Sequence, residues 1–259
     1  MIKNALKALA DYRHSFSLMS KLKLWQYFLV PMLISLLFGI SIIAAAYGLS
    51  DNLGRLIARM WIWENGREVV ETTAAIVSAL LIILLGFITY KHVIMALSAP
   101  FMSPVSEKME RHLFTELHED IVHRKTSNTS QLIRGLRINL RNLLYELAIT
   151  LPLLLLSLIP VIGIVFALCS FFIQSYYAGF GNMDYTLERH FNYRDGVRFV
   201  KNNRWYAVGN GIVFMAVLLI PVVGIILVLP LSVTAASKTT LELLRKQKQL
   251  TATAHTSNN

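Results

Sequence analysis

The sequence predicts an all-α integral membrane protein, and three observations support this prediction. Hydrophobic residues make up 55% of the chain and charged residues only 15%, whereas a soluble domain carries charge on roughly a quarter of its residues. The apolar residues are grouped into four blocks along the chain, and each block reaches the ~20 residues that a membrane-spanning helix needs. A backbone in lipid must satisfy its own hydrogen bonds, so such blocks must be helical. The blocks lie at about residues 24–50, 69–101, 147–173 and 205–236.

The N-terminal segment, residues 1–23, has apolar residues at helical spacing, with Lys3 and Lys7 on other faces. This pattern predicts an amphipathic helix that lies on the membrane surface ahead of the first span. A disordered basic arm is the alternative. The apolar run that follows is far longer than the roughly 7–15 residues of a signal-peptide core, so we expect a span and not a cleaved signal.

The first two blocks predict two full transmembrane helices, near residues 24–49 and 72–90. The second block stays apolar past Lys91 and His92, so its helix is expected to project beyond the bilayer. We expect both side chains to snorkel to the interface. The alternative is that His92 couples proton movement. Cys169, the single cysteine, lies inside the third block and is expected to be a small core residue.

The long hydrophilic region of the chain, residues 106–146, is predicted to be helical and cytoplasmic. It is too short to hold an independent core. We therefore predict a single membrane domain, residues 1–237, followed by a polar cytoplasmic tail, residues 238–259.

A short internal repeat lies at the centre of the third and fourth blocks. Residues 158–164 read LIPVIGI and residues 219–225 read LIPVVGI. Proline removes a helical hydrogen bond and glycine tolerates unusual dihedrals, so each copy predicts a bend. Repeated broken helices are typical of transporters. The predicted bend residues are Pro160, Gly163, Pro221 and Gly224.

Block length and charge together favour two Pro-bent helical hairpins that penetrate the membrane partly. Each arm would have about 12–15 residues, or roughly 18–22 Å, which is less than the ~30 Å hydrocarbon core. Hairpins also place the basic residues 174–204 on the cytoplasmic side with both termini, as the positive-inside rule requires. Residues 50–71 then lie outside with a net charge of −1. The rest of the chain carries a net charge of +11, which gives the total of +10.

Four local motifs together are similar to one family. They are Ser98-Ala99-Pro100-Phe101 followed by Glu107 and Glu110, residues 159–163 (IPVIG), Asp184-Tyr185 followed by His190, and Ile220-Pro221 leading to residues 232–237. The chain resembles the CysZ family of bacterial sulfate permeases, within the wider etoposide-induced-protein superfamily. The resemblance covers roughly residues 24–237.

This resemblance implies two full spans, two partly penetrating hairpins and a homo-oligomer in the bacterial inner membrane. It also implies sulfate uptake for cysteine synthesis, so the expected function is transport of a small inorganic anion. A non-transporting membrane scaffold or biogenesis factor with the same fold is the alternative. The family's anion-binding element, of Gly-Leu-Arg type, precedes the first span, and at that place this sequence has Lys21 and Lys23.

Two groups of basic residues are candidates for anion binding. Lys21 and Lys23 form the first group. Arg134, Arg137 and Arg141 form the second, since their spacing places all three on one helical face. The alternative for the arginines is a positive-inside stripe that contacts lipid headgroups.

Two acidic residues, Glu107 and Glu110, are candidates for a gate or an ion-pair network at the cytoplasmic mouth of a pathway. The alternative is a solvated first turn of a helix that starts after Pro104, where acidic residues are favoured.

Other functional classes find no support in the sequence. His112, His118 and His123 do not share one helical face, so no metal site is predicted. No nucleotide-binding or hydrolase motif occurs, and we predict neither an enzyme nor a cofactor. The net charge of +10 follows from the predicted topology and does not require nucleic acid as a partner.

Overall fold

The computed structural model describes residues 2–59, 67–115, 127–157, 159–220 and 223–256. Every regular element within these ranges is a helix, which confirms the all-α prediction. In chain order they are α1 (Ile2–Lys21), a short 3-10 turn (Leu24–Tyr27), α2 (Leu29–Ala58), α3 (Arg67–Leu113), α4 (Asn128–Leu156), α5 (Gly163–His190), α6 (Tyr193–Asn202), α7 (Arg204–Leu218) and α8 (Val223–Thr256).

Several of these helices are long and apolar enough to cross a membrane. Helix α7 is apolar but shorter. Helices α4 and α5 have 29 and 28 residues and so are longer than the predicted hairpin arms, because each continues from its apolar block into the polar flanking segment. Among the described residues, the candidate spans are Leu24–Ala58, α3, α4, α5 and Leu227–Leu250 of α8.

Helices α2 and α3 pack antiparallel along their length. Gly54 lies against the backbone of Ala75 near one end of the pair. Further along, the rings of Phe38 and Tyr90 have their centroids 6.0 Å apart. These contacts join the two blocks that the sequence predicted as full spans.

Helix α3 continues through Pro100 and Pro104 and ends only at Leu113. The alternative interpretation, a new helix that starts after Pro104, is therefore wrong. A proline removes one backbone hydrogen bond, but this part of α3 is held by its neighbours, since Met102 and Val105 are fully buried.

The first copy of the repeat is a reversal of the chain between α4 and α5. Arg134 near the start of α4 pairs with Asp184 near the end of α5, so the two helices are antiparallel. Gly163 begins α5, and a Cβ atom there would lie less than 3.0 Å from the carbonyl oxygen of Ser157. The predicted bend thus needs a glycine for this close approach.

The second copy of the repeat is also a reversal. Helix α7 ends before it and α8 follows it, and the side chain of Asn210 donates a hydrogen bond to the backbone oxygen of Ser232 on the returning helix, at 3.0 Å. A Cβ atom at Gly224 would likewise lie less than 3.0 Å from the carbonyl oxygen of Val217. Pro221 lies outside the described residues.

Helix α1 packs against α7 and α8. The Tyr12 hydroxyl donates a hydrogen bond to the backbone oxygen of Asn210, at 2.8 Å. Asp11 accepts one from Lys238 Nζ, at 2.6 Å. The helix prediction is therefore confirmed, and the disordered basic arm is wrong. Its opposite face is apolar and exposed at Ile2, Leu6 and Phe16.

Helix α5 lies at the centre of the bundle, where it contacts α3, α4, α7 and α8. Every residue from 177 to 189 is buried. Small residues make this possible: a Cβ atom at Gly179 or Gly211 would lie less than 3.0 Å from the backbone of the neighbouring helix. Close backbone contact through small residues is typical of helix pairs in membranes.

Candidate functional site

A basic cavity of about 540 Å³ lies where the end of α1 and the turn after it meet the C-terminal end of α3. None of its described lining residues is acidic. Converging cations of this kind create a positive potential that attracts anions. The lining consists of Lys21, Leu22, Lys23, Gln26, Lys108, Arg111 and His112.

Local structure explains how these basic residues converge. Helix α1 ends at Lys21, and Lys23 adopts a left-handed conformation with φ 50° that turns the chain toward α3. Lys108, Arg111 and His112 are spaced three and four residues apart, so they share one face of α3. The cavity therefore joins a turn and a helix face that are distant in sequence.

The cations of the cavity differ in how far their charge is already compensated. Within the described part of the chain, Lys21 and Lys23 form no ion pair. The Arg111 Nη2 atom lies 2.6 Å from Glu107 Oε1 in a pair that is largely exposed. An exposed pair contributes little stability and is readily exchanged. The cavity is thus lined by two lysines without a described ion pair, by Lys108, whose Nζ atom lies 5.0 Å from the centroid of the Tyr27 ring, and by one exchangeable arginine.

Glu107 and Glu110, which the sequence grouped as one gate candidate, lie in different environments. Glu107 is on the surface, whereas Glu110 is fully buried. Glu110 Oε2 accepts hydrogen bonds from Arg189 Nη2 at 2.9 Å and from Nε at 3.2 Å, and its Oε1 atom lies 3.1 Å from His190 Nε2. Arg189 also donates to the Ser106 hydroxyl at 2.8 Å. Only Glu110 belongs to a buried ion-pair network.

The three arginines of the second candidate group do not line the basic cavity. Arg134 makes a bidentate contact with Asp184, at 2.8 and 3.1 Å. The guanidinium of Arg137 lies 4.0 Å from the centroid of the Tyr193 ring. Arg141 donates to Asn142 and lies over the rings of Tyr145 and Phe180. Each arginine thus has its own partners on α4 or on the neighbouring helices.

Lys91 and His92 do not snorkel to the interface, so this expectation is wrong. Both side chains are 1% exposed and both contact the buried Glu146 of α4. Lys91 Nζ lies 2.7 Å from Glu146 Oε1, and His92 Nε2 lies 2.9 Å from Glu146 Oε2. The end of the apolar block faces the interior of the bundle, where the carboxylate of Glu146 contacts both basic side chains.

The histidines that were weighed as metal ligands are only partly described. His112 lines the basic cavity, while His118 and His123 lie outside the described residues. His190, which was not among them, contacts Glu110.

Several buried charged residues were not predicted as site residues, among them Glu146, Asp184 and Arg189. Their segments were assigned to the cytoplasmic side because they carry charge. One signal in the sequence did indicate burial: small residues such as Gly179 and Gly181 recur just before Asp184. Recurrent small residues in an apolar helix favour close helix packing, which also encloses the charges that follow.

Comparison with known proteins identifies relatives of this chain. The family model for sulfate transporter CysZ/etoposide-induced protein 2.4 matches residues 12–228, a range that contains the basic cavity and both copies of the internal repeat. The sulfate transporter CysZ of Pseudomonas syringae pv. tomato is 29% identical over 158 residues. That alignment covers 61% of this chain and 62% of the relative, so it spans less than two thirds of the relative's length.

Proposed function

Because the chain belongs to the sulfate transporter CysZ/etoposide-induced protein 2.4 family, we propose that it carries sulfate, or a similar small oxyanion, across the inner membrane of a bacterium. The observation that supports this most directly is the basic cavity between α1 and α3. A tetrahedral dianion is bound well by charge-assisted hydrogen bonds from ammonium and guanidinium groups.

The cavity residues have complementary roles in this proposal. Lys21 and Lys23 attract the anion as point charges, because neither is paired with a described carboxylate. Arg111 provides the planar fork that lysine lacks. The anion competes with Glu107 for Arg111, so Glu107 holds the arginine in place until the anion arrives.

Glu110 acts as a gate further inside. Its carboxylate forms an ion pair with Arg189 and contacts His190. An anion therefore moves inward by replacing the Glu110 carboxylate at these two side chains. Hydroxyl groups next to the pair, such as Ser106 and Thr186, lie 2.7 Å from each other and can donate hydrogen bonds to an anion that has lost its water.

The role of the cavity is tested by sulfate flux into proteoliposomes, normalised to inserted protein. Lys21→Gln with Lys23→Gln is expected to lower uptake roughly tenfold, because two uncompensated charges are removed at the entrance. Lys→Arg at both positions should preserve uptake. The difference between the lysine and glutamine forms should shrink at high salt, since the Debye length falls to ~3 Å at 1 M.

The matched control is Lys3→Gln with Arg13→Gln, which removes the same charge from exposed positions of α1 outside the cavity. It should leave normalised flux unchanged. Equal losses in both double variants would show that general surface charge, and not the cavity, determines uptake. Absence of sulfate flux in the unchanged protein would favour the scaffold function instead.

The proposal includes a topology with two full spans, two partly penetrating hairpins, both termini in the cytoplasm and a homo-oligomeric assembly. The chain reversals at Gly163 and Gly224 support the return of each helix pair to the side of the membrane from which it entered, because each brings the returning helix back beside the one before it. The positive-inside rule then places the basic residues 174–204 in the cytoplasm.

Cysteine labelling tests this topology. In a Cys169→Ala background, Asn192→Cys is expected to react only with thiol reagents that reach the cytoplasm. Asp51→Cys, at an exposed position in the segment assigned to the outside, should react with impermeant reagents in intact cells. Labelling of both positions from the periplasm would contradict the proposed topology.

A further inference from the structure

A second and larger cavity, of about 890 Å³, lies among α4, α5, the end of α6 and the start of α7. Most of its lining is apolar or aromatic. It opens to the outside of the bundle, since Phe172 is 49% exposed and Cys169 is exposed as well. The expectation that Cys169 is a small core residue is therefore wrong: it lines a surface cavity in the apolar part of α5.

The cavity has an apolar end and a charged end. Cys169 and Tyr177 both line it and lie about 12 Å apart along α5 at 1.5 Å per residue. Helices α5 and α7 are antiparallel, because Gly179 contacts Ala207 while Gly211 contacts Ser175. Arg204, at the start of α7, is therefore near Tyr177, while Cys169 lies toward the hairpin bend.

The charged end has two cations that form no ion pair with a described carboxylate, and one indole N–H that has no described hydrogen-bond partner. Lys201 and Arg204 are exposed, and neither forms an ion pair with the residues that the structure describes. The guanidinium of Arg204 lies 5.8 Å from the centroid of the Trp205 ring. The indole nitrogen of Trp205 is buried and has no hydrogen-bond partner in this part of the chain.

From this arrangement we infer that the cavity binds an anionic phospholipid, whose phosphate contacts Lys201 and Arg204 while an acyl chain lies along α5 toward Cys169. Two cations without a described ion pair complement a phosphate, and the apolar walls can pack against an acyl chain by van der Waals contact. Tryptophan and tyrosine are favoured at the headgroup level of a membrane. The inference is independent of the proposed transport function, because the basic cavity is formed by other helices.

Fluorescence of Trp205 tests the inference in the full-length protein. Trp25, Trp61 and Trp63, the other tryptophans, are replaced by phenylalanine, and the protein is reconstituted into phosphatidylcholine vesicles. Phosphatidylglycerol or phosphatidylcholine with brominated acyl chains is then added as the quencher. We expect half-maximal quenching at a roughly tenfold lower fraction of phosphatidylglycerol, because only its headgroup carries the net charge that the two cations attract.

Two double variants decide whether the site is specific. Lys201→Gln with Arg204→Gln should abolish the preference for phosphatidylglycerol. Arg198→Gln with Lys246→Gln removes the same charge from exposed residues that line a different cavity, and it should keep the preference. All four positions are exposed, so the fold should be retained.

Three results would overturn the inference. Equal quenching by the two lipids would show that the charged end selects no headgroup. Equal loss of the preference for phosphatidylglycerol in both double variants would show that the preference comes from general surface charge and not from this cavity. Protection of Trp205 from both lipids, together with cross-linking of Cys169 between copies, would show that a second copy of the chain covers the cavity.

Discussion

The Gly179→Val variant is expected to lose most of its folded population in detergent, with a loss in stability of about 3 kcal/mol or more. A Cβ atom at this position would lie less than 3.0 Å from the carbonyl oxygen of Ala207. The obstacle is backbone, which cannot rotate away as a side chain can. Helices α5 and α7 would have to separate, and the central position of α5 makes that separation costly. Thermal unfolding followed by size-exclusion chromatography measures the effect.

Gly39→Val is the matched control. Gly39 lies in the apolar α2, and a Cβ atom there would meet nothing within 4 Å. Both substitutions exchange the same residues inside an apolar helix, so their difference isolates the close contact. Equal stability of the two variants would contradict the tight packing of α5 on α7.

The Glu146→Gln variant is expected to be destabilised by about 3–5 kcal/mol, because it leaves a buried lysine without its counter-charge. Lys91 is 1% exposed and lies 2.7 Å from the Glu146 carboxylate. An amide at position 146 has nearly the same shape and can still accept a hydrogen bond from His92. The loss therefore reports charge compensation and not packing. Thermal unfolding at constant pH measures it.

Lys91→Met combined with Glu146→Gln is expected to restore much of the lost stability, since removing both charges ends the need for compensation. Glu107→Gln is the control for an exposed pair and should cost less than about 1 kcal/mol, because Glu107 is 37% and Arg111 61% exposed. A double variant no more stable than Glu146→Gln alone would show that the two groups do not depend on each other.

The class of fold and the positions of the chain reversals followed from local features of the sequence. The length of the apolar blocks requires helices in lipid, and the Pro-x-x-Gly copies lie where α4 gives way to α5 and where α7 gives way to α8. The family resemblance, based on short motifs, is confirmed by the match over residues 12–228. Lys21 and Lys23 were identified because the family places its anion-binding element there.

Charge placement was less well predicted, because the sequence indicates where a charge lies along a helix and not which neighbour will cover it. Lys91 and His92 were expected at the interface because they lie near the end of an apolar block. Their environment depends on Glu146, more than fifty residues away in sequence. Arg134 had a predicted helical face, but the Asp184 that it binds is on another helix.

The sequence alone therefore determined the helical membrane class, the two bends and two of the basic residues that line the basic cavity. The tertiary structure decided which charges are buried in pairs, and it added Lys108 and Arg111 to Lys21 and Lys23. The physical reason is the separation along the sequence over which each interaction acts. Helix formation and bending depend on hydrogen bonds between residues a few positions apart, whereas a cavity or a buried ion pair forms only when separate helices pack and exclude water between them.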